Sequence, residues 1–217
     1  TDVVSERRLF RRMDAAHDTL LAERGRPRPD SARLARLRSR IDELEDSART
    51  FVVPNAYDRI LSREGARGLN ATTASEATTY FVELPANRTE LWFALESQRM
   101  ADPVFREFYA ERDVVMEERR LRVETNPGGR LYEAHLAAAF TMHPYGVPVV
   151  GYMSDLEVLE RRTVADFYRR YYGPGNAVVA VVGDVDPARV RAWAEVYFGP
   201  LPPGERPPPI LAQEPPQ

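Results

Sequence analysis

The chain has 217 residues, 43% of them hydrophobic, and 30 Lys and Arg against 33 Asp and Glu leave a formal charge of −3. That length buries one sizeable core, which predicts one main domain with an appendage. The near-balanced charge offers no basic field for nucleic acid or an anionic membrane, and the lack of cysteine excludes disulfides and thiolate metal sites. No apolar run approaches the ~20 residues of a membrane span. The chain therefore reads as soluble, its compartment left open by these counts, with a bacterial periplasm or cytoplasm as the expectation. Its ends read as cut: it opens on Thr1, and the segment 200–217, containing "LPPGERPPPILAQEPPQ", reads as a proline-rich linker.

In chain order, residues 5–24 and 31–51 predict two helices joined by "RGRPRPD". Leu34, Leu37, Ile41, Leu44, Ala48 and Phe51 recur at three and four residues, and Asp30 is the expected N-cap. This pair, residues 1–52, forms an expected helical hairpin with one apolar seam. "GLNATT" (68–73) and "TTYFVEL" (78–84) are β-branched and aromatic and predict neighbouring antiparallel strands, the first at an exposed sheet edge. Residues 88–100 predict an amphipathic helix. "DPVFREFYAERDVVMEERRLRVE" predicts a long helix with Asp102 as N-cap and Pro103 at its first position, broken by "NPGG". Residues 130–141 read as helix, "HPYGVPVVG" as a loop, and 155–172 as two short helices. "NAVVAVVGDVDP" (176–187) has a near-continuous apolar run that predicts a strand buried on both faces. A last helix is expected from Pro187 to Phe198. This order lacks regular βαβ alternation. It predicts an α+β fold, a two-layer domain over 53–199 with an antiparallel sheet packed by helices, plus the helical hairpin insertion.

Within the long helix, "ERDVVMEERR" (111–120) places Glu111 and Glu118 seven positions apart. They are separated by ~20° around the axis and ~10 Å along it, so they share a face but cannot both bind one ion. With Phe108 and Val115 close to the same side, that face is expected near the core and directed into a concave site, where carboxylates need partners. On the residues alone, a solvated charged face is the simpler reading. The three histidines, His17, His135 and His143, are never three or four apart, so no H-E-x-x-H or H-x-x-E-H pattern is present.

The segment "ERDVVMEER" resembles the downstream glutamate motif of the pitrilysin/insulinase family of zinc peptidases, which includes the mitochondrial processing peptidases and carries an inverted H-x-x-E-H motif. "GLNATT", "HPYGVPVVG" and "DFYRRYYGPGNAVVAVVGDVDP" are similar to further family segments, so the resemblance runs from about Val53 to Phe198. The hairpin resembles an insertion carried by some bacterial members. The resemblance implies that zinc is the cofactor, that Glu118 is a metal ligand, and that Glu111 is a carboxylate that orients a ligating histidine. Asn70, Ala71 and Thr72 would bind a peptide substrate as an added strand. The implied reaction is metal-assisted peptide hydrolysis in a metalloendopeptidase acting on peptides or small unfolded proteins. The family's two histidine ligands and its general-base glutamate belong upstream of such a segment. This chain would then hold one ligand of three and be inactive alone, because catalytic zinc takes three protein ligands. Its implied partners are a C-terminal partner domain or a homologous subunit, with no nucleic acid and no membrane span. The alternative is a non-catalytic peptide-binding or partner subunit of the same family.

Overall fold

The computed structural model describes residues 2–205 and 207–215. Thr1 of the expected hairpin and residues 206, 216 and 217 of the expected linker lie outside them. In chain order the elements are helices α1 (Val3–Arg24), α2 (Ser31–Arg49) and α3 (Ala56–Arg63), strands β1 (Arg67–Thr73) and β2 (Thr78–Glu83), then helices α4 (Thr89–Ala101), α5 (Phe108–Arg119), α6 (Pro127–Ala139), α7 (Met153–Val158), α8 (Arg161–Tyr171) and α9 (Pro187–Tyr197). The chain is mostly helical with one small antiparallel sheet, an arrangement compatible with an α+β fold. It divides into two compact units. One holds residues 1–53, 105–164 and 213–217, and the other 54–104 and 165–212.

The core of the first unit lies along the hairpin seam. Leu9, Phe10 and Met13 of α1 meet Leu44 and Ala48 of α2 and Tyr109 of α5, with Phe51 packed against them. The three- and four-residue apolar spacing of α2 is what turns these side chains to one face. Asp2 and Asp30 cap the two helices, the second by accepting from the amides of Ala32 at 2.9 Å and Arg33 at 3.0 Å. Acidic side chains of α1 brace this unit. Glu23, 1% exposed, accepts from the Asp30 amide at 3.1 Å and pairs with Arg26 at 3.0 Å and Arg33 at 3.3 Å, which fixes the turn between the helices. Asp14 holds Arg161 through two hydrogen bonds at 3.1 and 2.5 Å.

The long helix starts later than the sequence predicts. Asp102 ends α4, and α5 begins only at Phe108. Arg106, in the intervening segment, forms a fork with the buried Glu6 carboxylate, one arm at 3.0 Å. A buried carboxylate left without its cation is costly, so this pairing outweighs the helical start signal at Asp102–Pro103.

The second unit is built on aromatic packing. Phe93 of α4, 1% exposed, lies 5.0 Å from Trp92, 5.9 Å from Phe198 and 6.1 Å from Trp193, ring centre to ring centre. β1 and β2 pair antiparallel, with Asn70 opposite Phe81, Ala71 opposite Tyr80 and Thr72 opposite Thr79. Tyr80 reaches out of this sheet to share a 2.9 Å hydroxyl contact with Tyr172, while the Arg99 guanidinium lies 4.6 Å over its ring.

The segment 176–187 is not a strand. After a 3-10 turn at Pro174–Asn176 it runs extended from Ala177 (φ −116, ψ 143), and Val178 and Val182 are 97% and 95% exposed. Valine-rich composition favours extended backbone, but a strand also needs a neighbouring ladder. Among the described residues the only sheet is β1–β2, and neither strand pairs with this segment.

Candidate functional site

The helix α5 carries both candidate glutamates, and its buried side is not theirs. Tyr109 and Arg119 are the buried residues of the helix, with Arg112 and Met116 half-buried between them at the same three-and-four spacing. Glu111 is exposed. Glu118 keeps 39% of its side-chain surface and pairs with Arg122, one turn on, at 3.0 Å. The face that carries them is thus more open than the sequence predicts, because packing against the hairpin selects the face of Tyr109 and Arg112. The cavity of about 230 Å³ in this unit follows the same choice. Its α5 lining is Arg112, Asp113 and Met116, beside His17 of α1 and Glu45 of α2.

Directly after Glu118 the backbone changes pitch. Residues Arg120–Glu124 form a π-helical turn, closed by the Thr125 amide donating to the Arg120 carbonyl at 2.9 Å, with the Thr125 hydroxyl donating to the same carbonyl at 3.0 Å. Such turns are rare and concentrate at functional sites. The "NPGG" that the sequence reads as a break is the start of α6. Asn126 accepts from the amides of Gly128 and Gly129, and Pro127 takes the first helical position. Gly129 is required here, because a Cβ on it would fall 2.0 Å from the Arg122 carbonyl oxygen. Arg119, 6% exposed, anchors the same region, donating to Glu133 at 2.8 and 3.1 Å and to the Gly151 carbonyl at 2.6 Å.

The strand residues Asn70, Ala71 and Thr72 lie in the second unit, and α5 lies in the first. Every residue of β1 is exposed, and among the described residues its only partner is β2, so one of its edges is open. The Asn70 side chain accepts the Ala71 amide at 2.8 Å and covers one edge donor locally.

The histidines stand apart from the glutamates in role. His17 is buried, stacked on Tyr109 at 3.9 Å with its Nε2 3.8 Å from Glu45. His143 accepts the Tyr145 amide through Nδ1 at 3.3 Å, and His135 is exposed on α6. Among the described residues no three His, Cys, Asp or Glu side chains converge as a metal site. Zinc takes three protein ligands in catalytic sites. The donors within this chain therefore do not by themselves fit the ion.

Comparison with known proteins places this architecture among metallopeptidase relatives. The family described as "Insulinase (Peptidase family M16)" matches residues 49–152, and that described as "Peptidase M16 inactive domain" matches 159–217. The zinc protease PqqE of Helicobacter pylori is 33% identical over 144 residues, 65% of this chain and 32% of that protein. An uncharacterized zinc protease of Mycobacterium leprae is 36% identical over 137 residues, 60% of this chain and 30% of its own length. The crystal structure of a protease from Helicobacter pylori superposes with a TM-score of 0.68 at 32% identity, covering 73% of this chain and 39% of that one. The chain belongs to the insulinase family of peptidases, whose cofactor is zinc. It spans about a third of the length of the curated relatives it matches. Among the described residues no helix is long and apolar enough to cross a membrane.

Proposed function

We propose that this chain is part of a zinc-dependent metalloendopeptidase that hydrolyses peptides or small unfolded proteins, with its site incomplete in the chain itself. Residues 53–199 act as the N-terminal-type, two-layer α+β peptidase domain, 1–52 as a helical hairpin insertion and 200–217 as a linker to a C-terminal partner domain or homologous subunit. In this reading Glu118 is the metal ligand contributed from α5. Glu111 is the carboxylate orienting a histidine supplied from outside this chain, and Asn70–Thr72 receive an extended peptide along the open edge of β1.

The observation that carries the reading is the state of Glu118. Its carboxylate is half-exposed and, among the described residues, held by a pair with Arg122, whose side chain is 75% exposed. Exposed pairs of this kind contribute ~0.2–1 kcal/mol, so Arg122 is a partner that a divalent cation displaces at little cost. The second reading, a non-catalytic peptide-binding or partner subunit, draws support from the lack of a converging ligand set among the described residues.

Three measurements on the purified 217-residue chain test the proposal. Metal analysis is expected to find no stoichiometric zinc, and an unstructured fluorogenic peptide is expected to stay intact; turnover abolished by a chelator would overturn the claim of incompleteness. The same peptide, uncleaved, is expected to perturb the backbone amides of 67–73 in a nitrogen–proton correlation spectrum. If those amides stay still while the peptide binds elsewhere, the docking role of β1 is lost. Glu118→Ala separates the two readings in a chain extended upstream to include an H-x-x-E-H motif, since the enzyme reading requires it to lose zinc.

A further inference from the structure

The loop after α6 holds a carboxylate that no catalytic reading uses. Phe140 leaves the helix with extended backbone (φ −125, ψ 103), and the next three amides, those of Thr141, Met142 and His143, all donate to the Glu214 side chain. One carboxylate oxygen accepts from the Thr141 amide, from the Thr141 hydroxyl at 2.8 Å and from the Met142 amide at 3.2 Å. The other accepts from the Met142 amide at 3.2 Å and the His143 amide at 2.8 Å. Both oxygens are engaged by four donors, and all of these residues belong to the first unit.

We propose that Thr141–His143 form a carboxylate-binding cradle, and that Glu214 is its resident ligand, a releasable latch of the proline-rich tail. Successive backbone amides turned to one point make a concavity for anions, and here its two-oxygen geometry suits the fork of a carboxylate. Burial pushes the Glu214 carboxyl up, but the hydrogen bonds, led by that of the His143 amide, outweigh it and hold the group at about 2. The cradle thus favours the charged form. Thr141 and Met142 are exposed, so the donors are within reach of solvent and of a competing ligand once the tail leaves. Glu214 precedes Pro215 in a tail that also contains Pro207, Pro208 and Pro209. Proline-rich chain is already extended and stiff, which lowers the entropy cost of holding one acidic residue in place. The ligand class is therefore a carboxylate, offered by the chain's own tail or by an acidic or C-terminal residue of another polypeptide. Neither the cradle nor the latch depends on peptidase activity.

Nitrogen–proton correlation spectra of the full chain, with sodium acetate as the external probe and sodium chloride as the control, test it. Glu214→Ala is expected to move the Thr141, Met142 and His143 amides upfield together while the α1–α2 resonances stay in place, because Glu214 takes no part in that core. Acetate added to the variant is expected to return the three amides toward their wild-type positions, with chloride inert. In the wild type these amides already donate to a carboxylate, so acetate is expected to leave them near their positions until it outcompetes the tethered Glu214, whose effective concentration is on the order of millimolar. Unmoved amides in Glu214→Ala would refute the latch, and amides that move but ignore acetate would refute the cradle. An identical acetate response in both chains would remove Glu214 as the resident ligand.

Discussion

The close approach of Gly129 to Arg122 makes the sharpest test of how the α5–α6 region is held. In Gly129→Ala the added Cβ would sit 2.0 Å from the Arg122 carbonyl oxygen and 3.0 Å from the Arg122 carbonyl carbon and the Val123 Cα, all backbone atoms. No side chain can swing aside, so the first turn of α6 and the π-helical turn must separate by more than an ångström. Overpacking of this kind costs ~1–3 kcal/mol, and the rigid backbone partners put the site at the upper end. Against this, replacing a helical glycine by alanine returns ~0.5–1 kcal/mol. The net expectation is a loss of about 2 kcal/mol. Gly128→Ala is the internal comparison: its Cβ meets only the Asn126 Oδ1, at 3.3 Å, a side-chain atom that needs to give by a few tenths of an ångström, so its loss is expected to be clearly smaller than that of Gly129→Ala. Urea unfolding followed by far-ultraviolet circular dichroism reads both. Equal midpoints for the two variants would refute the claim that α6 is seated on the π turn through Gly129.

Three further outcomes follow from the geometry. Glu118→Gln removes one partner of an exposed ion pair, so unfolding free energy is expected to change by less than about 1 kcal/mol; a larger loss would mean the carboxylate is structural and would weaken its assignment as a spare metal ligand. Phe93→Ala empties the centre of the Trp92–Trp193–Phe198 cluster and is expected to cost ~3–5 kcal/mol, with a red shift of tryptophan emission on the same urea curve; a loss under ~1 kcal/mol would refute that cluster as the core of its unit. The Glu214 carboxyl is held below its ordinary 4.5, at about 2, so the tail contact contributes fully above that ordinary value and is lost as pH falls through about 2. The amide shifts of 141–143 are expected to persist at pH 4, and a midpoint near 4.5 would contradict the hydrogen-bonded geometry.

What the sequence makes legible is what local pattern decides. The hairpin follows from the spacing of Ile41, Leu44 and Ala48 and from the Asp30 cap, and all four are found in those roles. The β1–β2 pair follows from two β-branched runs close in sequence. α3, eight residues long and capped by Asn55 in the left-handed region (φ 52) without a side-chain cap bond, offers no long periodic run and escapes the reading. The start of α5 is misplaced because the deciding partner of Arg106 is Glu6, a hundred residues away. The cradle of Thr141–His143 is invisible for the same reason, its ligand lying more than seventy positions on.

The glutamate face and the valine segment mark two limits of local pattern. Periodicity places Glu111 and Glu118 on one face, but it cannot say which face a helix buries when two are amphipathic. Tyr109, Arg112, Met116 and Arg119 form the competing stripe, and it contains two arginines that a hydrophobicity pattern counts as surface. Tyr109 stacks on His17, Arg112 lies 5.1 Å from the Tyr109 ring and pairs with Asp113 at 3.5 Å, and Arg119 is neutralised by Glu133, so both arginine charges have a carboxylate partner. The run from Ala177 to Val182 shows the opposite limit. Its composition specifies extended backbone and the structure supplies it, yet strand formation is a property of two segments and depends on a neighbour. Val178 and Val182 therefore stay exposed on extended backbone where the composition predicts a strand buried on both faces.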